Sequence, residues 1–203
     1  MEQAEALYTL MMSGSSSSEI REGHLSDIAQ ITMGQSPSGE TYNETGNGTV
    51  FFQGRAEFGW RFPKTRLYTT SPKRMAKEND VLLSVRAPVG DINIAKEDCC
   101  IGRGLAAIHP KDGYQSFVLY SLLAARKTLS RFNSEGTVFG SINKNSLSQL
   151  PIMIPSKEAI KQFERQVQSI DRLIRLNSEE SQGLEALRDQ LLPKLLTGEV
   201  EIH

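Results

Sequence analysis

Only two of the 203 residues are cysteine, Cys99 and Cys100, and they are adjacent. Neighbouring residues on a strand point to opposite faces, so the pair does not bridge itself. There is no Cys-x-x-Cys and no His/Cys cluster, and His24, His109 and His203 are scattered, which argues against a zinc site. Free thiols fit a reducing compartment. No secretory leader opens the sequence and no apolar run approaches the ~18 residues of a membrane span, so a cytoplasmic protein outside the membrane is expected. Catalytic signatures are missing as well. There is no Walker loop, no His-Glu-x-x-His and no Gly-x-Ser-x-Gly. No Asn precedes a Pro-Pro pair, as it does in the catalytic loop of adenine methyltransferases. Gly102-Arg-Gly104-Leu-Ala-Ala107 has the form of a dinucleotide fingerprint. Pro110 arrives too soon for the helix that must follow, and a tight strand turn explains the glycines better. Catalysis by this chain alone is not expected.

Net charge is −1, and its distribution is more telling than its sum. Residues 1–19 hold three acids and no base, and residues 156–203 hold seven bases and nine acids. The block between them carries sixteen bases and twelve acids, and Gly54–Lys77 alone has seven bases against one acid, Glu57. The central block is mildly basic with one concentrated patch, which suits either a solvated face or a polyanion.

Met1–Met12 reads as a short amphipathic helix with Ala4, Leu7, Tyr8 and Met11 on one face, and a Ser-rich linker follows. His24–Ala29 looks like a strand or helix entry with Ser26 and Asp27 as candidate caps. Gly34–Gly48 reads as a long loop, Thr49–Gln53 as a strand, and Arg55–Pro72 as irregular, basic and aromatic. Asp80–Val85 and Asp91–Lys96 read as a hairpin turned at Pro88–Gly90. Cys99–Ile108 is another strand region, Gln115–Phe132 a helix, Gly136–Asn145 a polar loop and Leu150–Ile154 a last strand. Short strands with few helices imply an α+β fold, β-rich, followed by a long C-terminal coiled-coil helix. The divisions are 1–18 (helix and linker), 19–155 (the domain) and 156–203 (the long helix and a short tail).

Between Pro155 and Pro193 lie 37 residues without proline. Ile160, Phe163, Val167, Ile170 and Ile174, then Leu184, Leu187 and Leu191, fall at heptad spacing. Such a helix is about 55 Å long, so it is expected to project and its stripe to find a partner helix. Asn177 interrupts the stripe where a polar residue fixes register, and the apolar phase shifts there.

The loops are rich in Arg, Lys, Asn, Gln, Ser and Thr, the side chains that reach phosphates and base edges. Candidate DNA contacts are Gln35, Ser36, Gln53, Arg55, Trp60, Arg61, Lys64, Arg86, Arg103, Thr137, Ser141, Asn143 and Lys144. Arg55 and Arg61 are the first choices, because they lie in the most basic stretch. For any one of them a solvated-surface role competes.

Several segments together resemble the DNA specificity subunits of type I restriction–modification systems. Leu25-Ser-Asp-Ile-Ala-Gln-Ile-Thr-Met-Gly-Gln-Ser-Pro is similar to the opening of their target-recognition domain, and Phe52-Gln-Gly-Arg to the strand and basic loop that follow. Asp80-Val-Leu-Leu-Ser-Val-Arg-Ala-Pro-Val-Gly-Asp and Cys100-Ile-Gly-Arg-Gly-Leu-Ala-Ala-Ile resemble its central signature. Gly136-Thr-Val-Phe-Gly-Ser-Ile-Asn-Lys and Leu150-Pro-Ile-Met-Ile-Pro resemble its close. Leu191-Leu-Pro-Lys-Leu-Leu-Thr-Gly-Glu-Val resembles the end of the family's spacer helix.

The resemblance implies a non-catalytic subunit that reads half of a bipartite site on double-stranded DNA. It implies methyltransferase (modification) subunits as partners and, with them, a restriction subunit. S-adenosylmethionine is expected on the methyltransferase, leaving this chain without a cofactor. The usual family member has two recognition domains and two spacer helices, whereas this sequence has one of each. A half-subunit that pairs as a homodimer through its helix is therefore expected. The alternatives are a regulatory half-subunit that occupies methyltransferase subunits without reading DNA, and a small DNA-modifying enzyme.

Overall fold

A computed structural model describes residues 2–14, 20–133 and 140–197. The chain divides into two units, residues 1–164 and 165–203. The division falls inside the long helix.

The first unit opens with α1 (Glu2–Gly14), then β1 (Arg21–His24), α2 (Leu25–Ile28) and β2 (Ala29–Met33). Strands β3 (Tyr42–Asn43), β4 (Thr49–Phe52), β5 (Tyr68–Thr69) and β6 (Met75–Ala76) follow. Next come β7 (Val81–Ser84), β8 (Ile92–Ile94), β9 (Cys99–Ile101) and β10 (Leu105–Pro110). The unit closes with α3 (Gln115–Ala124), α4 (Arg126–Ser130), α5 (Lys144–Ser148), β11 (Pro151–Ile154) and the first turns of α6 (Lys157–Leu196). The β-rich domain and long helix are as expected.

Strands β2-β10-β7-β8 form an antiparallel sheet, β3-β5-β4-β9-β6 a mixed one with β4 and β9 parallel, and β1 pairs with β11. Strand β7 is buried at every position, as befits a central strand covered on both faces. That is why Val-Leu-Leu shows no polar alternation. The cysteines of β9 are both buried and unpaired. Burial, then the Asp80 charge, pushes the Cys99 thiol up to about 12, so it stays protonated and inert.

Several local expectations are corrected. Strand β1 is hidden in the polar stretch Arg-Glu-Gly-His, and only its pairing with β11 defines it. Ser26 does not cap α2; the Asp27 carboxylate reaches back and accepts the His24 N–H at 3.0 Å. The helix expected over Gln115–Phe132 breaks at Ala125 into α3 and α4. Part of the expected polar loop is helical, because Asn143 caps α5 by accepting the Ser146 N–H at 2.9 Å. Gly34–Gly48 contains β3, with Asn43 paired to Tyr68.

Helix α3 is buried on nearly every side, so its first N–H groups need a partner inside the protein. Glu164, in the first turns of α6, supplies it. Its carboxylate accepts the Ser116 and Phe117 N–H groups at 3.0 and 3.1 Å, where the helix dipole favours an anion. Tyr8 of α1 closes the same corner. Its hydroxyl donates to Ser121 Oγ at 3.2 Å, and its ring meets Phe163 edge-on at 5.8 Å.

Helix α6 continues past the expected stop at Pro193 to Leu196. Its apolar stripe is not one surface. Ile160, Phe163 and Val167 are buried, whereas Leu184 and Leu187 are 60% and 50% exposed. Leu173 and Leu176, outside the expected stripe, are exposed too. At 3.6 residues per turn they share a face with Leu184, Leu187 and Leu191, about 120° around the helix from Ile160–Ile174. Asn177 is exposed.

Two measurements check these contacts. Glu164→Ala is expected to cost about 1–3 kcal/mol in urea denaturation, because two buried N–H groups lose a charged acceptor. Neither cysteine is expected to react with a thiol reagent near neutral pH until denaturant is added; rapid native labelling of Cys99 contradicts its burial.

Candidate nucleic-acid interface

The ends of β2, β4, β7 and β9 meet on one side of the two larger sheets, and their backbones lock together. Gly34 N–H donates to Leu105 O and Gln35 N–H to Ile101 O, each at 2.9 Å. Gly102 N–H donates to Phe52 O at 2.8 Å and Gly104 N–H to Gln53 O at 3.2 Å. Val85 N–H reaches Gly104 O at 2.9 Å, and Ile142 N–H reaches Val85 O at 3.0 Å. The result is a continuous ledge of five chain segments.

Glycine is obligatory there for lack of space. A Cβ on Gly34 would lie 2.1 Å from Gly102 O, and one on Gly102 would lie 2.7 Å from Gln53 O. Gly102-Arg-Gly104 is thus a turn between β9 and β10, with a strand rather than a helix after it. The turn lifts Arg103 outward, and Arg103 N–H donates to Ser36 Oγ at 3.2 Å.

Arg103 borders two clefts. The larger, about 500 Å³, is lined among others by Met33, Arg86, Ser141 and Asn143. The smaller, about 440 Å³, is lined among others by Gln35, Ser36, Tyr42 and Gln53. Arg86 and Ser141 form a β-bridge across the first. The Tyr42 hydroxyl donates to Pro37 O at 2.9 Å and pins the loop that frames the second. Asn143 spends its oxygen on the α5 cap, leaving its amide N–H groups as donors. Among the described residues neither Arg86 nor Arg103 has a carboxylate partner. Two unpaired guanidiniums with amide and hydroxyl groups beside them suit phosphates and base edges.

Seven of the thirteen expected contacts therefore converge on these clefts: Gln35, Ser36, Gln53, Arg86, Arg103, Ser141 and Asn143. Lys144 is exposed next to them in sequence. Arg55, Trp60 and Lys64 are exposed but line neither cleft. Arg55 forms an ion pair with Asp91. Arg61, a first choice from sequence, requires correction. It is 5% exposed, with its guanidinium 5.6 Å above the Tyr120 ring. Flat and weakly hydrated, it is an arginine the interior can accept. Thr137 lies outside the described residues. Met33 and Tyr42 were missed; only the loop composition around Tyr42 hinted at it.

The described residues contain no group of three or more metal-ligating side chains, and no helix among them is long and apolar enough to cross a membrane.

Comparisons with known proteins agree on one family. Residues 18–186 match the type I restriction modification DNA specificity domain. A putative type I restriction enzyme MjaX specificity subunit of Methanocaldococcus jannaschii is 38% identical over 174 residues, 85% of this chain and 41% of that protein. The HindI specificity subunit of Haemophilus influenzae is 28% identical over 186 residues, 87% of this chain and 40% of that one. Among solved structures, the HsdS subunit of Thermoanaerobacter tengcongensis superposes with a TM-score of 0.66 at 32% identity, covering 98% of this chain and 53% of that one. A chain from a structure of type I R-M complex assembly and conformational transition gives 0.67 at 35%, covering 95% and 52%. The chain thus spans about half the length of the relatives it matches.

The ledge makes its own prediction. Gly34→Ala is expected to destabilise by about 1–3 kcal/mol through forced displacement of the Gly102 carbonyl. Gly39→Ala, where a Cβ meets nothing within 4 Å, is the neutral control in the same urea titration.

Proposed function

The chain belongs to the type I restriction–modification DNA specificity family, and on that premise we propose that its ledge reads one half of a bipartite site on double-stranded DNA. The observation that carries this reading is the convergence of Arg86 and Arg103, which have no carboxylate partner among the described residues, with Gln35, Gln53 and Asn143 on adjoining clefts. Arg pairs bidentately with guanine, and Asn or Gln with adenine, in the major groove. Arg103 is the first choice for base contact, since both clefts share it. Lys64 and Lys144 are assigned to phosphates.

The reading extends to partners. Methyltransferase subunits carry S-adenosylmethionine and the chemistry, a restriction subunit joins them, and the assembly is cytoplasmic. Helix α6, about 60 Å long over its 40 residues, sets distance and offers the exposed face of Leu173, Leu176, Leu184, Leu187 and Leu191. A second copy of this chain is the proposed occupant of that face.

Two experiments test the proposal. With methyltransferase subunits present, Arg103→Ala is expected to cost about 1–3 kcal/mol and to relax the methylated sequence at one position; Lys64→Ala weakens all sequences alike. Salt should weaken binding with a slope of about −0.9 per phosphate contact. Unchanged affinity and unchanged methylation sequence for Arg103→Ala sink the assignment. For pairing, Leu184→Asp with Leu187→Asp is expected to give folded monomers by light scattering, since each buried Leu is worth roughly 1.5–3 kcal/mol. Ile160→Asp or Val167→Asp should unfold the chain instead. A monomeric wild type at high micromolar concentration refutes pairing of the free protein.

A further inference from the structure

Trp60 is 67% exposed, yet both of its neighbours are fixed. Gly59 is held twice by one buried amide: its N–H donates to Asn93 Oδ1 and its carbonyl accepts from Asn93 Nδ2, each at 3.0 Å. Asn93 itself is 2% exposed. On the other side Arg61 is buried over Tyr120, and its carbonyl accepts the Ile94 N–H at 3.0 Å. Phe62 is buried beneath the Lys96 ammonium, 5.2 Å from the ring centroid. The turn is tight enough that a Cβ on Gly59 would lie 2.5 Å from Phe62 O. A floppy loop would fold an indole onto the nearest apolar surface. This loop is built so that the indole stays out, and a rigid exposed aromatic of that kind is the usual anchor of a binding surface.

Charge selects the partner. The loop leaves the ledge at Gly54 and lies in the stretch with seven bases and one acid. That acid, Glu57, has a side chain only 8% exposed and is bound by Arg66 at 3.0 Å. Lys64, Lys73 and Arg74 have no carboxylate partner among the described residues. An apolar plane in a field of unpaired cations fits a polyanion that has flat apolar faces of its own.

We infer that Trp60 is a wedge that stacks on the bases of the bound duplex at a base step, a role distinct from the hydrogen-bonding contacts of the ledge. The inference rests on the DNA-reading function proposed above. Aromatic wedges of this sort unstack a step and bend the duplex around the protein.

Trp60 is the only tryptophan of the chain, so its emission reports the stacking directly. The full-length protein is titrated with a dye-labelled mixed-sequence duplex, binding being followed by the anisotropy of the dye. Heparin, a polyanion without bases, is the control. The duplex is expected to quench the indole at least about two-fold and to shield it from acrylamide, while heparin does neither. Trp60→Phe should keep duplex affinity within a few-fold, whereas Trp60→Ala should lose about 5- to 100-fold with heparin affinity unchanged. A duplex that binds with no more effect on emission than heparin overturns the stacking role and leaves DNA reading standing. A duplex that does not bind at high micromolar protein overturns both. Loss of methyltransferase capture by Trp60→Ala, with duplex affinity intact, overturns the inference in favour of a protein contact.

Discussion

The close approach of Gly34, Gly102 and Gln53 is the constraint on which the ledge depends. Three strand ends belonging to two different sheets are pressed together until carbonyl oxygens occupy the space where side chains would stand. Backbone N–H groups satisfy those carbonyls, so the junction costs no buried polar group. The residues between the glycines have no interior left to enter. Arg103 sits between two of them and is turned out. What resembles a phosphate-binding fingerprint in one dimension is a packing device in three, and its product is an outward arginine held by rigid backbone.

A second fixed point lies where α6 begins. Glu164 closes the N-terminus of α3, and Phe163 and Tyr8 fill the corner beside it. The first turns of the long helix are therefore part of the globular unit, and the apolar residues there are core. The same heptad arithmetic that places Ile160, Phe163 and Val167 on one face continues to the leucines farther along, but with a different phase. Spacing alone says that a stripe exists. It does not say which part is satisfied within the chain and which is left for another helix.

That limit recurs wherever the sequence misled. The β-rich domain, the hairpin over Asp80–Lys96 and the long helix were legible because they rest on composition and periodicity, which act locally, and the family through the order of the segments that resemble it. The turn at Gly102–Gly104 was legible because Pro110 forbids the competing helix. Strand β1 was not, since Arg-Glu-Gly-His has no strand pattern and exists as one only through β11. Arg61 was misjudged for a related reason. A basic stretch records how many cations are near, and only packing decides which of them turns inward onto Tyr120. Conversely, Gln35, Gln53, Arg86 and Arg103 are scattered over the first half of the sequence, and only the junction of the sheets brings them together.

Arg55 and Arg66 are each neutralised by carboxylates, Asp91 for one and Glu44 with Glu57 for the other, and Arg61 is withdrawn into the core. Part of the positive excess of the sequence is thus spent on fixing loops, and Arg86 and Arg103 of the ledge are among the arginines without a carboxylate partner among the described residues. A protein with many free surface cations holds any polyanion and gains affinity with little discrimination. Guanidiniums set on rigid backbone, as at the ledge, add geometry at contact to that attraction. With a net charge of −1 the whole chain supplies little attraction at a distance, so the discrimination proposed for the ledge rests on that contact geometry.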